Sequence, residues 1–276
     1  MTQPINIAII PPGALAQQYC EDRPIQMALA GELIHPNGGG PPNAEYLNFY
    51  NQAWKSQKVN WLLDNGAWEG SRLETNDLLR VAARYGATEL VAPDVLGDPA
   101  GTLELTKEFL EYLRDAPKLP FGKVPRIAVV AHGESLHESL TFLEELNHCD
   151  TGHHIRTVSI SRTTCYRSGN PTARFELAFQ IRKRYGSRYD IHLLGFSDQW
   201  PTEIQHCVSL PGLVRSCDTI APFSYAFKGL SIEKVGRVNV PRPDDYFELK
   251  HEDFDHDLVA HNISILDRWG RTSIYG

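Results

Sequence analysis

The chain has 276 residues, 42% hydrophobic and 22% charged, with a formal net charge of −7 at neutral pH. That composition excludes a disordered or collagen-like chain, and the length suffices to bury a core without disulfide or metal staples. Overall acidity argues against a general nucleic-acid binder. The five cysteines are too few for a secreted disulfide framework and fit a reducing compartment. No apolar run approaches the roughly 20 residues of a membrane span. The opening residues carry no basic and apolar leader, so a cytoplasmic protein away from the membrane is expected.

Short apolar runs of β type recur along the chain. They lie at 5–10, 61–64, 89–94, 126–131, 157–161, 191–195 and 219–221, with a weak eighth candidate at 237–240. Their near-continuous apolarity is that of parallel strands buried on both faces. Amphipathic helical stretches are expected at 25–33, 44–54, 76–85, 102–113, 136–146, 174–185 and 258–269. Asp98-Pro99 and Asn170-Pro171 read as helix starts. From the second strand on, strand ends recur about every 26–37 residues, the length of a strand, a helix and two loops. This rhythm predicts an α/β fold of the (β/α)8 TIM-barrel type. A doubly wound sheet is the alternative, weakened by the absence of GxGxxG after the first strand. One domain is expected over 1–276, with a core at about 5–240 and a tail at 241–276 packed on it. The loop at 38–42 is not a phosphate loop, because no Lys-Ser/Thr follows it.

Polar residues cluster where strands end. Asp64-Asn65-Gly66, Asp94, His132-Gly133, Ser161-Arg162 and Gly195 each close an apolar run, and Asp218 directly precedes the run at 219–221. In a (β/α)8 barrel the strand C-termini form the active-site face, so three carboxylates are expected at one mouth. An aspartate after a strand is as often the cap of the next helix. Asp98 is the better cap candidate after Asp94, which leaves Asp94 for a ligand. Asp64 before Asn65-Gly66 also suits a simple turn. Paired carboxylates are the usual means of sugar C1 chemistry, one as nucleophile and one moving a proton.

The segments Leu62-Leu63-Asp64-Asn65-Gly66-Ala67, Val91-Ala92-Pro93-Asp94-Val95-Leu96-Gly97-Asp98, His192-Leu193-Leu194-Gly195 and Cys217-Asp218-Thr219-Ile220-Ala221-Pro222 resemble the tRNA-guanine transglycosylase superfamily. Within it they look most like the short phage and DNA-modifying members, the DpdA-type 7-deazaguanine DNA transglycosylases. Ile7-Ala8-Ile9-Ile10-Pro11 and Met27-Ala28-Leu29-Ala30 fit that branch too, and the resemblance spans about residues 5–225. It implies a (β/α)8 barrel and a pentosyltransferase that exchanges guanine for a 7-deazaguanine such as preQ0. By motif, Asp218 is the nucleophile, Asp64 the general acid/base and Asp94 the base-recognition residue. His132, Gly133, Ser161 and Gly195 are then further base contacts. The implied partners are DNA or another polynucleotide and the free 7-deazaguanine base, with no cofactor, in the host cytoplasm for a phage-encoded member.

Two departures stand out. The family's Gln-Gly after the fourth strand is His132-Gly133 here, and its zinc-binding cysteines are missing, since no cysteine follows Asp218. His251, His256 and His261 recur every five residues, a poor metal pattern, so no metal is expected. Charge adds one more feature. Seven basic residues and one acid lie between Arg162 and Arg188, a +6 window on a −13 remainder. Arg162, Arg167 and Arg174 are expected beside the mouth as phosphate contacts, joined by Lys228. Arg182, Lys183, Arg184 and Arg188 are expected to lie further along a helix. A solvated helix face is the bland alternative. Rival functions are an N-glycosidic hydrolase, a tRNA- or nucleoside-directed deazaguanine transferase, and a non-catalytic nucleic-acid-binding subunit.

Overall fold

The computed structural model describes residues 4–34, 44–56, 60–70, 73–115, 124–196, 200–235 and 240–272. In chain order the elements are β1 (Asn6–Ile9), α1 (Ala16–Cys20), β2 (Ile25–Leu29), α2 (Ala30–Leu33), α3 (Ala44–Ser56), β3 (Asn60–Asp64), α4 (Thr75–Arg84), β4 (Glu89–Val91), α5 (Pro99–Asp115), β5 (Arg126–Val130) and α6 (Leu136–Cys149). They continue with β6 (Ile155–Ser161), α7 (Thr163–Ser168), α8 (Ala173–Tyr185), β7 (Asp190–Leu194), α9 (Trp200–Ser209), β8 (Ser216–Thr219), α10 (Ala221–Phe227), α11 (Ile232–Val235) and α12 (His256–Trp269). The eight strands form one sheet in the order β1-β8-β7-β6-β5-β4-β3-β2. β1 pairs with β8, and β3 with β4, β4 with β5, β5 with β6 and β6 with β7, all in parallel. Parallel strands alternating with helices in this order make a (β/α)8 barrel, as the spacing of the apolar runs predicts.

The eighth strand is not the one expected. Residues 237–239 of the weak candidate lie outside the described residues, and the missing strand is β2, in a segment expected to be helical. Ile25–Leu29 is buried along its whole length, and only Ala30–Leu33 turns helical. A short run buried on every side shows no periodicity that separates helix from strand. Gln26, the polar residue of the run, donates through Nε2 to the carbonyl of Cys20 at 2.6 Å, while its Oε1 is buried without a hydrogen-bond partner among the described residues. At the other end of the chain β8 comes earlier than 219–221. Ala221 and Pro222 already belong to α10, with proline in the first turn, where its missing N–H costs nothing. Asp218 therefore lies within β8, not before it.

The chain falls into two compact units. One comprises residues Met1–Met27, Asn43–Val59 and Gly195–Gly276, the other Ala28–Pro42 and Asn60–Leu194. The second unit carries β3 to β7. Its interior is the apolar faces of those strands against amphipathic helices such as α4, which buries Leu78, Leu79, Val81 and Ala82. Buried Glu89 is paired with Arg126 at 2.8 Å across β4 and β5. In the first unit β1 and β8 pair so that Ala8 faces Asp218 in register.

The tail of the first unit is held by α12. Asp255 caps it, accepting from the N–H groups of Asp257 and Leu258. Asn262, fully buried in its middle, accepts from the N–H of Ile232 at 2.9 Å and donates to the carbonyls of Pro222 and Leu230 at 3.2 and 3.1 Å. One side chain thus satisfies three backbone groups of the segment that follows β8. Asn262→Ala should lower the stability of the protein by about 3 kcal/mol, because it leaves buried donors and acceptors unmade; equilibrium unfolding in urea measures this.

Candidate active site

In the second unit three strand ends meet at the carboxylate of Asp94. Asn65 follows the last residue of β3. Its Nδ2 donates to the carbonyl of Ala92 and to Asp94 Oδ1, both at 2.7 Å, while its Oδ1 accepts from the N–H of Ala67 at 2.8 Å. Asp94 Oδ2 lies 2.8 Å from Nε2 of His132, which follows β5. The Asp94 and His132 side chains are 6% and 3% exposed, so the pair is screened from solvent. The loop between β4 and α5 is fixed from both ends. Thr102 Oγ1 accepts from the N–H of Val95 and donates to its carbonyl, and Thr106 Oγ1 donates to the carbonyl of Pro93. Asp98 Oδ1 accepts from the N–H of Gly101 at 2.9 Å. Asp98 is thus the cap of α5, as expected, and Asp94 is released from that role.

Gly133 allows α6 to begin directly behind His132. A Cβ there would stand 2.5 Å from Ser139 Oγ and 2.6 Å from Ser139 N. No larger residue fits without moving the helix. Ser135 caps α6 by accepting from the N–H of Glu138.

Two further contacts reach across this group. The guanidinium of Arg162, directly after β6, lies over the ring of Trp68 at 4.3 Å. Trp68 belongs to the turn after β3 and is 51% exposed. Strands β4 and β5 lie between β3 and β6 in the sheet, so the contact spans the ends that carry Asp94 and His132. Arg167, exposed on α7, places Nη2 only 2.6 Å from where a Cβ on Gly97 would stand, in the loop after β4. A cation on an exposed indole is worth about 0.5–1 kcal/mol, so the Arg162–Trp68 contact is easily exchanged for another partner. Trp68 is the residue sequence reasoning missed; a lone tryptophan in a polar turn four residues after Asp64 was its signal.

The other expected residues make contacts of their own. Asp64 closes β3 and is partly exposed. Ser161 spends its hydroxyl on the turn into α7, with Thr163 Oγ1 at 2.9 Å and the N–H of Thr163 at 3.2 Å. Arg174 corrects an expectation. It is 0% exposed, and Nη2 donates to the carbonyl of Ile160 at 2.9 Å and of Leu194 at 3.2 Å. The first turn of α8 points inward there, so this guanidinium ties the ends of β6 and β7 and is not on the surface to meet a phosphate. In the first unit, Asp218 is buried, and its Oδ1 accepts from the N–H of Gly195 at 2.9 Å. Gly195 holds φ at 63°, a conformation suited to glycine. Lys228 is exposed just past α10, its Nζ 5.2 Å from the centroid of the Phe227 ring.

Among the described residues no group of three His, Cys, Asp or Glu side chains is placed to hold a metal ion. The thiol of Cys20 is pushed up to about 12 by burial, which leaves it inert as a nucleophile. Compared with known proteins, the chain matches no family model and no curated protein. The class defined on structural grounds is therefore the (β/α)8 fold with polar groups at its strand ends.

Because Arg174 is buried between two carbonyls, Arg174→Ala should cost about 3 kcal/mol of stability, since it leaves both carbonyls buried without their donor and opens a cavity. Urea unfolding measures the loss, and a loss below that of an ordinary surface substitution would contradict the assignment.

Proposed function

We propose that the protein is a base-exchange transglycosylase that replaces guanine by a 7-deazaguanine in DNA. The observation that carries this reading is Asp218, a buried carboxylate within β8 whose Oδ1 is oriented by the N–H of Gly195. A buried carboxylate oriented by a backbone N–H is held in place to act as a nucleophile. The resemblance around Asp64, Asp94 and Asp218 supports the same chemistry, as does the observation that these residues sit at or near the C-terminal ends of their strands.

In this reading a carboxylate oxygen of Asp218 attacks C1′ of a guanosine. The C1′–N9 bond breaks, and its electron pair leaves with the base. Asp64 delivers the proton that the departing guanine needs at N9. A 7-deazaguanine then loses the corresponding proton to Asp64 and attacks C1′, which returns the electron pair of the C1′–O bond to Asp218. No cofactor enters. Asp94 and His132 recognise the base, with backbone at Gly133, Ser161 and Gly195. Arg162, Arg167 and Lys228 contact phosphates.

A second reading has its own support. Burial of Arg174 and the pairing of Arg184 with Glu144 thin the basic stripe. A smaller stripe favours a nucleoside-sized substrate, with either a deazaguanine transferase or an N-glycosidic hydrolase as the activity.

With guanine-containing DNA and a 7-deazaguanine, the wild type should form a covalent adduct that survives denaturation, and Asp218→Asn should form none while retaining its fold. An adduct in Asp218→Asn by denaturing gel and mass spectrometry would refute the nucleophile.

The phosphate contacts are tested by DNA binding across salt concentrations. Each lost contact lowers the slope of log affinity against log salt by about 0.7–0.9. Arg162→Ala and Arg167→Ala should each show that decrease, and Lys183→Ala none. Equal slopes in all three would move the substrate to a nucleoside.

A further inference from the structure

The hydrogen bonds that converge on Asp94 have a direction, and that direction is set by backbone. Asn65 has its Oδ1 against the N–H of Ala67 and its Nδ2 against the carbonyl of Ala92. A flipped amide would set donor against donor and acceptor against acceptor at both places, so the orientation is unique. Nδ2 is therefore the group that meets Asp94 Oδ1, and it can only donate. An ionised carboxylate only accepts, so Asp94 Oδ2 requires a donor from His132, and Nε2 is the nitrogen 2.8 Å away. In a neutral imidazole one nitrogen carries the hydrogen and the other is an acceptor. With hydrogen on Nε2, Nδ1 carries the lone pair. Nδ1 makes no hydrogen bond among the described residues.

We propose that Asn65 fixes the tautomer of His132 through Asp94, and that His132 Nδ1, an acceptor, is the atom that reads the base. Asn65 and Asp94 are then positioning residues. Both Asp94 oxygens serve the relay, which moves the reading role from the carboxylate to the ring. An acceptor selects a ligand edge with an N–H donor, such as the lactam N1–H of guanine or 7-deazaguanine, over an edge with a bare ring nitrogen. The identity of the ligand rests on the base-exchange reading; the tautomer does not.

Asp94→Asn separates the two. In that variant the backbone-fixed Asn65 still donates towards residue 94, so the new amide must turn its oxygen to Asn65 and its NH2 to His132. Nε2 becomes the acceptor, and the hydrogen moves to Nδ1. The size and shape of residue 94 hardly change. Two-bond 1H–15N correlation spectra of the full chain, at a pH where the ring is neutral, read the tautomer directly, with His132→Gln identifying the signal. The expected result is Nε2–H in the wild type and Nδ1–H in Asp94→Asn; the same tautomer in both overturns the relay. Calorimetry with two probes, guanine (N1–H donor) and 2-aminopurine (N1 acceptor), reads the consequence. The wild type should prefer guanine, and Asp94→Asn should shift the ratio of affinities towards 2-aminopurine by about tenfold, the worth of one hydrogen bond. Binding with an unchanged ratio overturns the inference alone. Failure of the wild type to bind guanine, 2-aminopurine or a 7-deazaguanine overturns the base-exchange reading, and the reading role of Nδ1 with it.

Discussion

A parallel sheet buried on both faces denies water to polar side chains in and just beyond its strands, so each must find a partner inside the protein, and the structure follows from that constraint. β4 and β5 are apolar along nearly their whole length, with the paired Glu89 and Arg126 at their starts. The polar residues Asp94 and His132 come just after those strands, with Asn65 just after β3, and each is satisfied there by another. Such a group is inexpensive to bury only when every donor finds an acceptor. The relay from Ala92 and Ala67 through Asn65 to Asp94 meets that condition by using backbone groups as its fixed end.

The barrel was legible because its repeat is physical. Each β-strand needs a helix to cover it and a loop on either side, so the apolar runs return at a nearly constant interval whatever the residues are. Elements whose burial is complete were less legible. β2 carries no alternation because nothing in Ile25–Leu29 faces water, and the same five residues could have been a helix interior. Proline placed the boundary at β8 more sharply than hydrophobicity did: Pro222 belongs to a helix start, and the strand moves back to include Asp218.

At the site, chain order exposed the strand-end residues but not what each does. Asp98 was legible as a cap because the following proline marks a helix start. Arg174 was not, since charge patterning assumes that a cation seeks solvent, and here two backbone carbonyls replace the water. Contacts between residues far apart in sequence, Trp68 with Arg162 and Arg167 with Gly97, depend on how far each loop reaches, which no local pattern encodes.

Arg174 also governs how its part of the chain assembles. It lies on α8, the crossover between β6 and β7, and its two carbonyl partners are the penultimate residue of one strand and the last of the other. A helix that docked on β6 alone would bury a guanidinium with half of these acceptors absent, a desolvation that half-formed structure does not repay. The loop after α8 must therefore close while the helix settles. Strand, helix and strand are bound into a single cooperative step, and partial opening at this side of the sheet is penalised until all three come apart together.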